Sequence, residues 1–182
     1  GAGFLPRYDH VIFDEAHAIE DVAADHFGAS ISENQVEYFL RSLVPTSRKK
    51  ASRGFLKSVE RSCNASELLS QCVDLVHHCR EASHLFFDSL VHWKLEKAPA
   101  NGRVSEPNIV ENTLSEPLNE LGKHLNFLKE SIESDAEAVE VSGFANRASD
   151  MAHICNALVT QEMQGCVYAV EGVTQQARGA TA

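Results

Sequence analysis

The chain of 182 residues lacks any apolar run approaching the ~20 residues that a membrane-crossing helix needs, which excludes a simple transmembrane segment. It lacks a Cys-x-x-Cys pair, and with it zinc-ribbon spacing. Its five cysteines (Cys63, Cys72, Cys79, Cys155 and Cys166) are odd in number, as expected of reduced thiols in a cytoplasm rather than a disulfide framework. No Gly-Lys-Ser or Gly-Lys-Thr occurs, so the chain has no phosphate-cradling loop of that kind. Excess positive charge is missing too. A formal charge of −10 argues against a protein that coats nucleic acid without discrimination. The opening Gly-Ala-Gly-Phe-Leu-Pro has neither the basic nor the apolar region of a signal peptide. With no initiator methionine and no terminal motif in Gly179-Ala-Thr-Ala182, both ends are expected to be cuts through a longer protein. Internal repeats and low-complexity tracts are absent as well.

At 43% apolar, the chain has material for a core of ordinary size in one or two compact units. Most of that material is spaced for helices. Ser32 is placed to cap a helix, with Gln35 at the third position to close a capping box; Val36, Phe39, Leu40 and Leu43 form its apolar face, and Pro45 follows its end. From Phe55 to about Lys97 the pattern is helical with a break near Asn64, after which Ser66 is the expected cap. Leu68, Cys72, Leu75, Cys79, Ala82, Phe86, Leu90 and Trp93 make the seam there, widened by Leu69, Val76 and Phe87. Pro99 to Pro107 reads as a polar loop. A second long helix is expected from Thr113, where Leu114, Leu118, Leu121, Leu125, Leu128 and Ile132 alternate strictly at four and three as in a coiled-coil seam. A third is expected from Asp135 to Glu162, seamed by Val141, Phe144, Ala148, Met151, Cys155 and Leu158 and ended by Gly165. Three such helices with short links predict an antiparallel bundle. Cys72, Cys79 and Cys155 lie on these stripes and read as small core residues.

The first residues carry a different signal. In Tyr8-Asp-His-Val-Ile-Phe-Asp-Glu-Ala-His17, a short branched and aromatic run stops at two adjacent carboxylates. A buried parallel strand delivers acids in this way to the carboxyl edge of a sheet, where α/β folds hold their ligands. Asp-Glu-Ala-His at such an edge is the Walker B signature of a helicase motor. There Asp14 would hold Mg2+ of Mg–ATP, Glu15 would polarise the attacking water, and His17 would couple nucleotide state to the nucleic-acid site. A helix over residues 18–27 follows, with Ile19, Val22, Ala23 and Phe27 on one face and Gly28 as its stop. The other reading of these acids is a pair of solvent-facing carboxylates favoured by a helix N-terminus.

The wording of "YDHVIFDEAHAIEDVAADHFG" resembles the DinG group of XPD-like DNA helicases, and Gly165-Cys-Val-Tyr-Ala-Val-Glu-Gly172 resembles the strand by which the chain re-enters the motor in that family. The likeness brackets the chain at about its first 28 and last 10 residues; between them only helical character agrees. It implies a mainly α fold, an antiparallel long-helix bundle called the arch, inserted between two strands of an incomplete α/β P-loop NTPase motor domain. Residues 1–30 would belong to the motor with its Walker B strand, 31–164 to the arch, and 165–182 to the returning strand. The implied activity is that of an ATP-dependent DNA helicase that translocates 5′ to 3′ on single-stranded DNA and unwinds duplexes in repair or replication; some relatives are nucleases instead. ATP and Mg2+ are the implied cofactors, and single-stranded or forked DNA and the rest of the same chain the implied partners, with no membrane. Any iron–sulfur cluster would lie upstream of residue 1. Without a Walker A loop, this segment alone is expected to be inactive.

Residues 48–61 hold Arg48, Lys49, Lys50, Arg53, Lys57 and Arg61 against the single acid Glu60. They read either as a solvated loop running into a polar helix face or, as the resemblance implies, as a contact for the phosphates of a single strand. Two further classes compete with the helicase. A metal-binding bundle would use Glu81-x-x-His84 and Asp150-x-x-His153, spaced as in di-iron proteins, but the seams put all four on outer positions. His77 and His78 are adjacent and cannot share a helix face. A free-standing helical interaction module would make the Asp-Glu-Ala-His match an accident.

Overall fold

A computed structural model describes residues 28–46 and 54–172. The strand expected at 8–13, the acids at 14–17, the helix at 18–27 and the polar turn at 175–179 lie outside them. Among the described residues the protein is mainly helical, with one two-stranded sheet.

Helix α1 (Glu33–Leu43) begins at the expected capping box. The Ser32 Oγ accepts from the Gln35 N–H at 3.3 Å, and the Ser32 N–H donates to Gln35 Oε1 at 2.9 Å. Two of the orphan amides at the helix start are thereby satisfied. Val36, Phe39, Leu40 and Leu43 are all fully buried. After the neck described below come α2 (Phe55–Ser58) and a single 3-10 turn, Val59–Arg61. Phe144 stacks against both Phe55 and Phe39, with ring centroids 4.7 and 6.2 Å apart, which binds α1 and α2 to the last long helix.

Helix α3 (Ser66–Glu96) runs 31 residues after a break at the expected place. Its cap differs from the expectation. Ser66 is already helical, and Ala65 occupies the cap position without a side-chain hydrogen bond. The reason is tertiary. The Asn64 N–H donates to the Ser131 carbonyl and the Glu133 N–H to the Ser62 carbonyl, each at 3.0 Å, and Cys63 pairs with Ile132 as an antiparallel bridge. Backbone pairing with a distant turn, not a local serine, sets where α3 starts. The buried line of α3 is also rotated from the expected seam: it runs Leu69, Cys72, Val76, Cys79, Ala82, Ser83 and Phe86, while Leu68, Leu75, Leu90 and Trp93 are half-buried. A 3.6-residue helix drifts against a 3.5-residue repeat, and α3 meets two partners on different sides.

Helix α4 (Ser115–Lys129) buries Leu114, Leu118, Leu121, Leu125 and Leu128 completely, as the leucine column predicts. Ile132, read as the last member of the column, falls beyond the helix and is half-buried. The helix starts two residues after Thr113, where the Asn112 carboxamide oxygen accepts from the Ser115 N–H at 3.1 Å. Helix α5 (Asp135–Thr160) is capped by Ser134 and stops at Gln161, whose φ of 55° is left-handed, two residues short of the expected end at Glu162. Its buried line is Val141, Ala145, Ala148, Ala152 and Cys155; Phe144, Met151 and Leu158 sit at its half-buried margin. Small residues win the centre because α4 and α5 approach closely. A Cβ on Gly122 would lie 2.7 Å from Ser149 Oγ and 3.1 Å from the Ala145 carbonyl.

The direction of the three long helices follows from their cross-contacts. Asn64 meets Ser131 at one end, and the Thr113 hydroxyl meets the Ala82 carbonyl near the other, so α3 and α4 are antiparallel. Ser115 donates to the Ala152 carbonyl while Gly122 abuts Ala145, so α4 and α5 are antiparallel too. Beyond α3, the segment expected to be a plain polar loop holds strand β1 (Arg103–Val104), which pairs antiparallel with β2 (Tyr168–Ala169). The strand expected over 166–171 is this shorter β2. The Tyr168 hydroxyl, bonded to both the N–H and the carbonyl of Met163 at 3.0 Å, pins the turn before it.

Candidate functional site

Asp14, Glu15 and His17, the expected centre for Mg–ATP, lie outside the described residues, as do Arg48, Lys49, Lys50 and Arg53. Lys57 is described. It sits exposed on α2 with its ammonium 2.5 Å from Glu60 Oε2, an i,i+3 pair; Arg61 is exposed one turn on. Such a pair between two half-exposed side chains contributes little to stability and leaves the lysine free to exchange partners.

The chain leaves the described residues at Thr46 and returns at Gly54 through a neck. A Cβ on Gly54 would lie 2.5 Å from Pro45 Cδ and 2.7 Å from the Leu43 carbonyl oxygen, so only glycine fits this close approach. The described residues on either side of 47–53 are therefore held together at one place.

A half-buried polar cluster that the sequence did not reveal lies next to this neck. Glu37 on α1 receives Arg41 Nε at 2.6 Å and Arg80 Nε of α3 at 3.0 Å, and Arg80 Nη2 donates to the Val44 carbonyl at 3.0 Å. Burial pushes the Glu37 carboxyl up, but hydrogen bonds from Arg41 and Arg80 outweigh it and hold its pKa below the usual value. Arg80 thereby ties the C-terminal end of α1 to α3. The i,i+4 spacing of Glu37 and Arg41 was visible in the sequence; the partner 43 residues away was not.

The side chains weighed as metal ligands point outward. Glu81, His84, Asp150 and His153 are exposed, as are His77 and His78. His84 Nδ1 lies 2.9 Å from Glu33 Oε1, which makes it a surface tie between α3 and α1. Among the described residues no three potential ligands converge. Cys72, Cys79 and Cys155 are fully buried in the core. Burial pushes the Cys72 and Cys79 thiols up to about 12 and raises Cys155 as well, so all three stay neutral and unreactive.

Along the outward face of α3, Glu67, Asp74, Glu81 and Asp88 recur every seven residues, and all are exposed. This face is acidic and repels phosphates. At the other end of the bundle, an open groove of about 370 Å3 beside the strand pair is lined by Arg103, Gln161, Cys166 and Tyr168 among others. Its amides and hydroxyl are engaged in holding the turn: Gln161 Nε2 donates to the Glu106 carbonyl at 3.1 Å. Among the described residues no helix is long and apolar enough to cross a membrane.

The chain matches no protein-family model, no curated protein and no solved structure.

Proposed function

We propose that this chain is a segment of an ATP-dependent DNA helicase of the DinG/XPD-like kind, carrying the Walker B edge of a motor domain and the helical arch inserted after it. In the intact enzyme Asp14 holds Mg–ATP, Glu15 activates water and His17 couples hydrolysis to movement along single-stranded DNA. The observation that carries the reading is Asp-Glu-Ala-His closing an apolar run and followed by a long helical excursion. One feature of the fold supports the excursion as an insertion. The helical unit is entered near His84, through Glu33, and left near Lys94, against which Gly172 packs. Entry and exit thus both lie along the C-terminal half of α3, ~15 Å apart, as suits an insert returning to its parent domain.

Charge supports a restricted DNA contact. The outer face of α3 carries a column of acids, whereas the sequence of 48–61 is rich in cations, so this reading assigns the phosphate contact to that segment. Of its cations Lys57 and Arg61 are described, and both are exposed. By itself the segment has no phosphate loop and turns over no ATP. The reading is tested by Glu15→Gln in the full-length protein, which should bind ATP and lose its hydrolysis; wild-type turnover in that variant overturns it. A second reading, a free-standing helical interaction module, is favoured by the continuous core that joins α1 to α5. The coding sequence on either side separates the two: a Gly-Lys-Thr/Ser loop upstream supports the helicase, and a start codon immediately before Gly1 supports the module.

A further inference from the structure

We propose that the outward face of the distal third of α3 is a contact for a second copy of this chain, lying antiparallel across it. Leu85, Asp88, His92 and Leu95 are all exposed and follow one another at spacings of three, four and three, with exposed Val91 beside them. That is the spacing of a coiled-coil seam, and it lies on the side of α3 away from the buried line through Cys79 and Phe86. Its three apolar members, Leu85, Val91 and Leu95, are exposed at 62, 53 and 73%. The described chain does not cover this seam. Ser30 and Ile31, which lead into α1, share a groove with Arg147, Met151 and Ile154 of α5. Gly172 packs against Lys94, one residue and therefore ~100° around the helix from Leu95. Helix α4 starts level with Ala82, where the Thr113 hydroxyl meets the Ala82 carbonyl, and runs toward the other end.

The occupant follows from charge. A parallel copy would set Asp88 against Asp88 and His92 against His92. An antiparallel copy centred on Leu90 instead sets Leu85 against Leu95 of the other copy and Asp88 against its His92. The two Val91 side chains then meet beside the two-fold axis. Every apolar side chain of the seam faces an apolar one, and both acids face histidines. Sliding one helix by a heptad loses this match, because Leu85 then faces Asp88 or Leu95 faces His92. The acids higher on the same line, Glu81 and Asp74, face no acid in the chosen register, since α3 of the other copy has ended at Glu96. The surface is thus complementary to itself in one register and orientation. The contact makes no use of Asp14, Glu15 or His17, so it stands or fails apart from the helicase reading.

The seam from Leu85 to Leu95 is only ~15 Å long. It buries well under the ~800 Å2 per partner of a standard interface, so the dimer is weak and is sought at about 100 µM. Sedimentation velocity of the 182-residue chain is run at about pH 6, where a histidine carries charge. The weight-average coefficient should rise reversibly with concentration toward that of a dimer. Leu95→Lys should keep the chain monomeric throughout. Asp88→His or His92→Asp alone should weaken the dimer several-fold, because like charges then face each other; the two together exchange the pair and should restore it. If any variant loses helical circular dichroism, cross-linking of the otherwise unaltered chain decides instead. A photoreactive residue in place of Leu85 should link to the peptide holding Leu95 of a second, isotopically distinct copy. A monomer at every concentration, a dimer indifferent to Leu95→Lys, a double exchange no better than either single one, or links confined to one molecule each overturn the proposal.

Discussion

The α4–α5 interface and the distal third of α3 are both written with large apolar residues at helical spacing, yet they end in opposite states. In the first, the leucines of α4 meet the small residues Ala145, Ala148 and Ala152 of α5, and every one of them is fully buried. In the second, Leu85, Val91 and Leu95 face outward on a helix that outruns its neighbour: 31 residues span ~46 Å, whereas the 15 of α4 span ~22 Å. Apolar periodicity states that a helix wants a partner. It does not state whether one is long enough to reach.

This contrast can be broken by mutation. Leu121→Ala, in the middle of the sealed interface, should cost about 3 kcal/mol, read as a fall in the urea midpoint. A loss under about 1 kcal/mol would mean that α4 and α5 are not closely packed. Gly122→Val should cost about 2 kcal/mol through overpacking, because its first carbon already meets Ser149 Oγ and the Ala145 carbonyl. Leu95→Ala should cost about 1 kcal/mol or less, since Leu95 is 73% exposed to the bundle's surroundings. Equal losses at Leu95 and Leu121 would erase the difference between the two regions. Ser83→Ala should raise stability by about 1 kcal/mol, because the Ser83 hydroxyl is buried without a hydrogen-bond partner; a loss would reveal a partner for it.

A last and smaller effect concerns pH. The folded-state pKa of Glu37 lies below its ordinary value of 4.5, so its contribution is present above that value and is lost as pH falls through the folded pKa. Arg80→Met should flatten the acid limb of the stability profile below pH 4.5 and leave the neutral and alkaline limbs parallel to wild type. An unchanged acid limb would show that Glu37 and Arg80 do not interact in solution.

Much of the fold was legible where the determinants are local. The Ser32–Gln35 capping box, the stop before Pro45 and the leucine column of α4 all depend on residues within one or two turns of each other, and the structure reproduces them. The outward placement of Glu81, His84, Asp150 and His153 was readable for the same reason, because helical spacing alone assigns a face. The candidate site was legible only as chemistry. Asp14, Glu15 and His17 stand out as a string of letters, and the basic residues of 48–61 stand out as a charge run. Neither string contains the geometry that would join them.

What the sequence by itself determined is the helical identity of the described core, the direction in which each helix turns its apolar face to within a small rotation, and the burial of Cys72, Cys79 and Cys155. These follow from period and side-chain type. The tertiary structure alone decided the start of α3 at Ser66, set by backbone pairing of Cys63 with Ile132; the alanine centre of α5, set by close approach to Gly122; the bridge from Arg80 to Glu37; and the pairing of β1 with β2 across more than sixty residues. In each case a group far away in the chain supplies the partner for a hydrogen bond or fills a gap of fixed size. Local preference is worth only tenths of a kcal/mol per residue and yields to such contacts, each of which is worth about 1 kcal/mol or more.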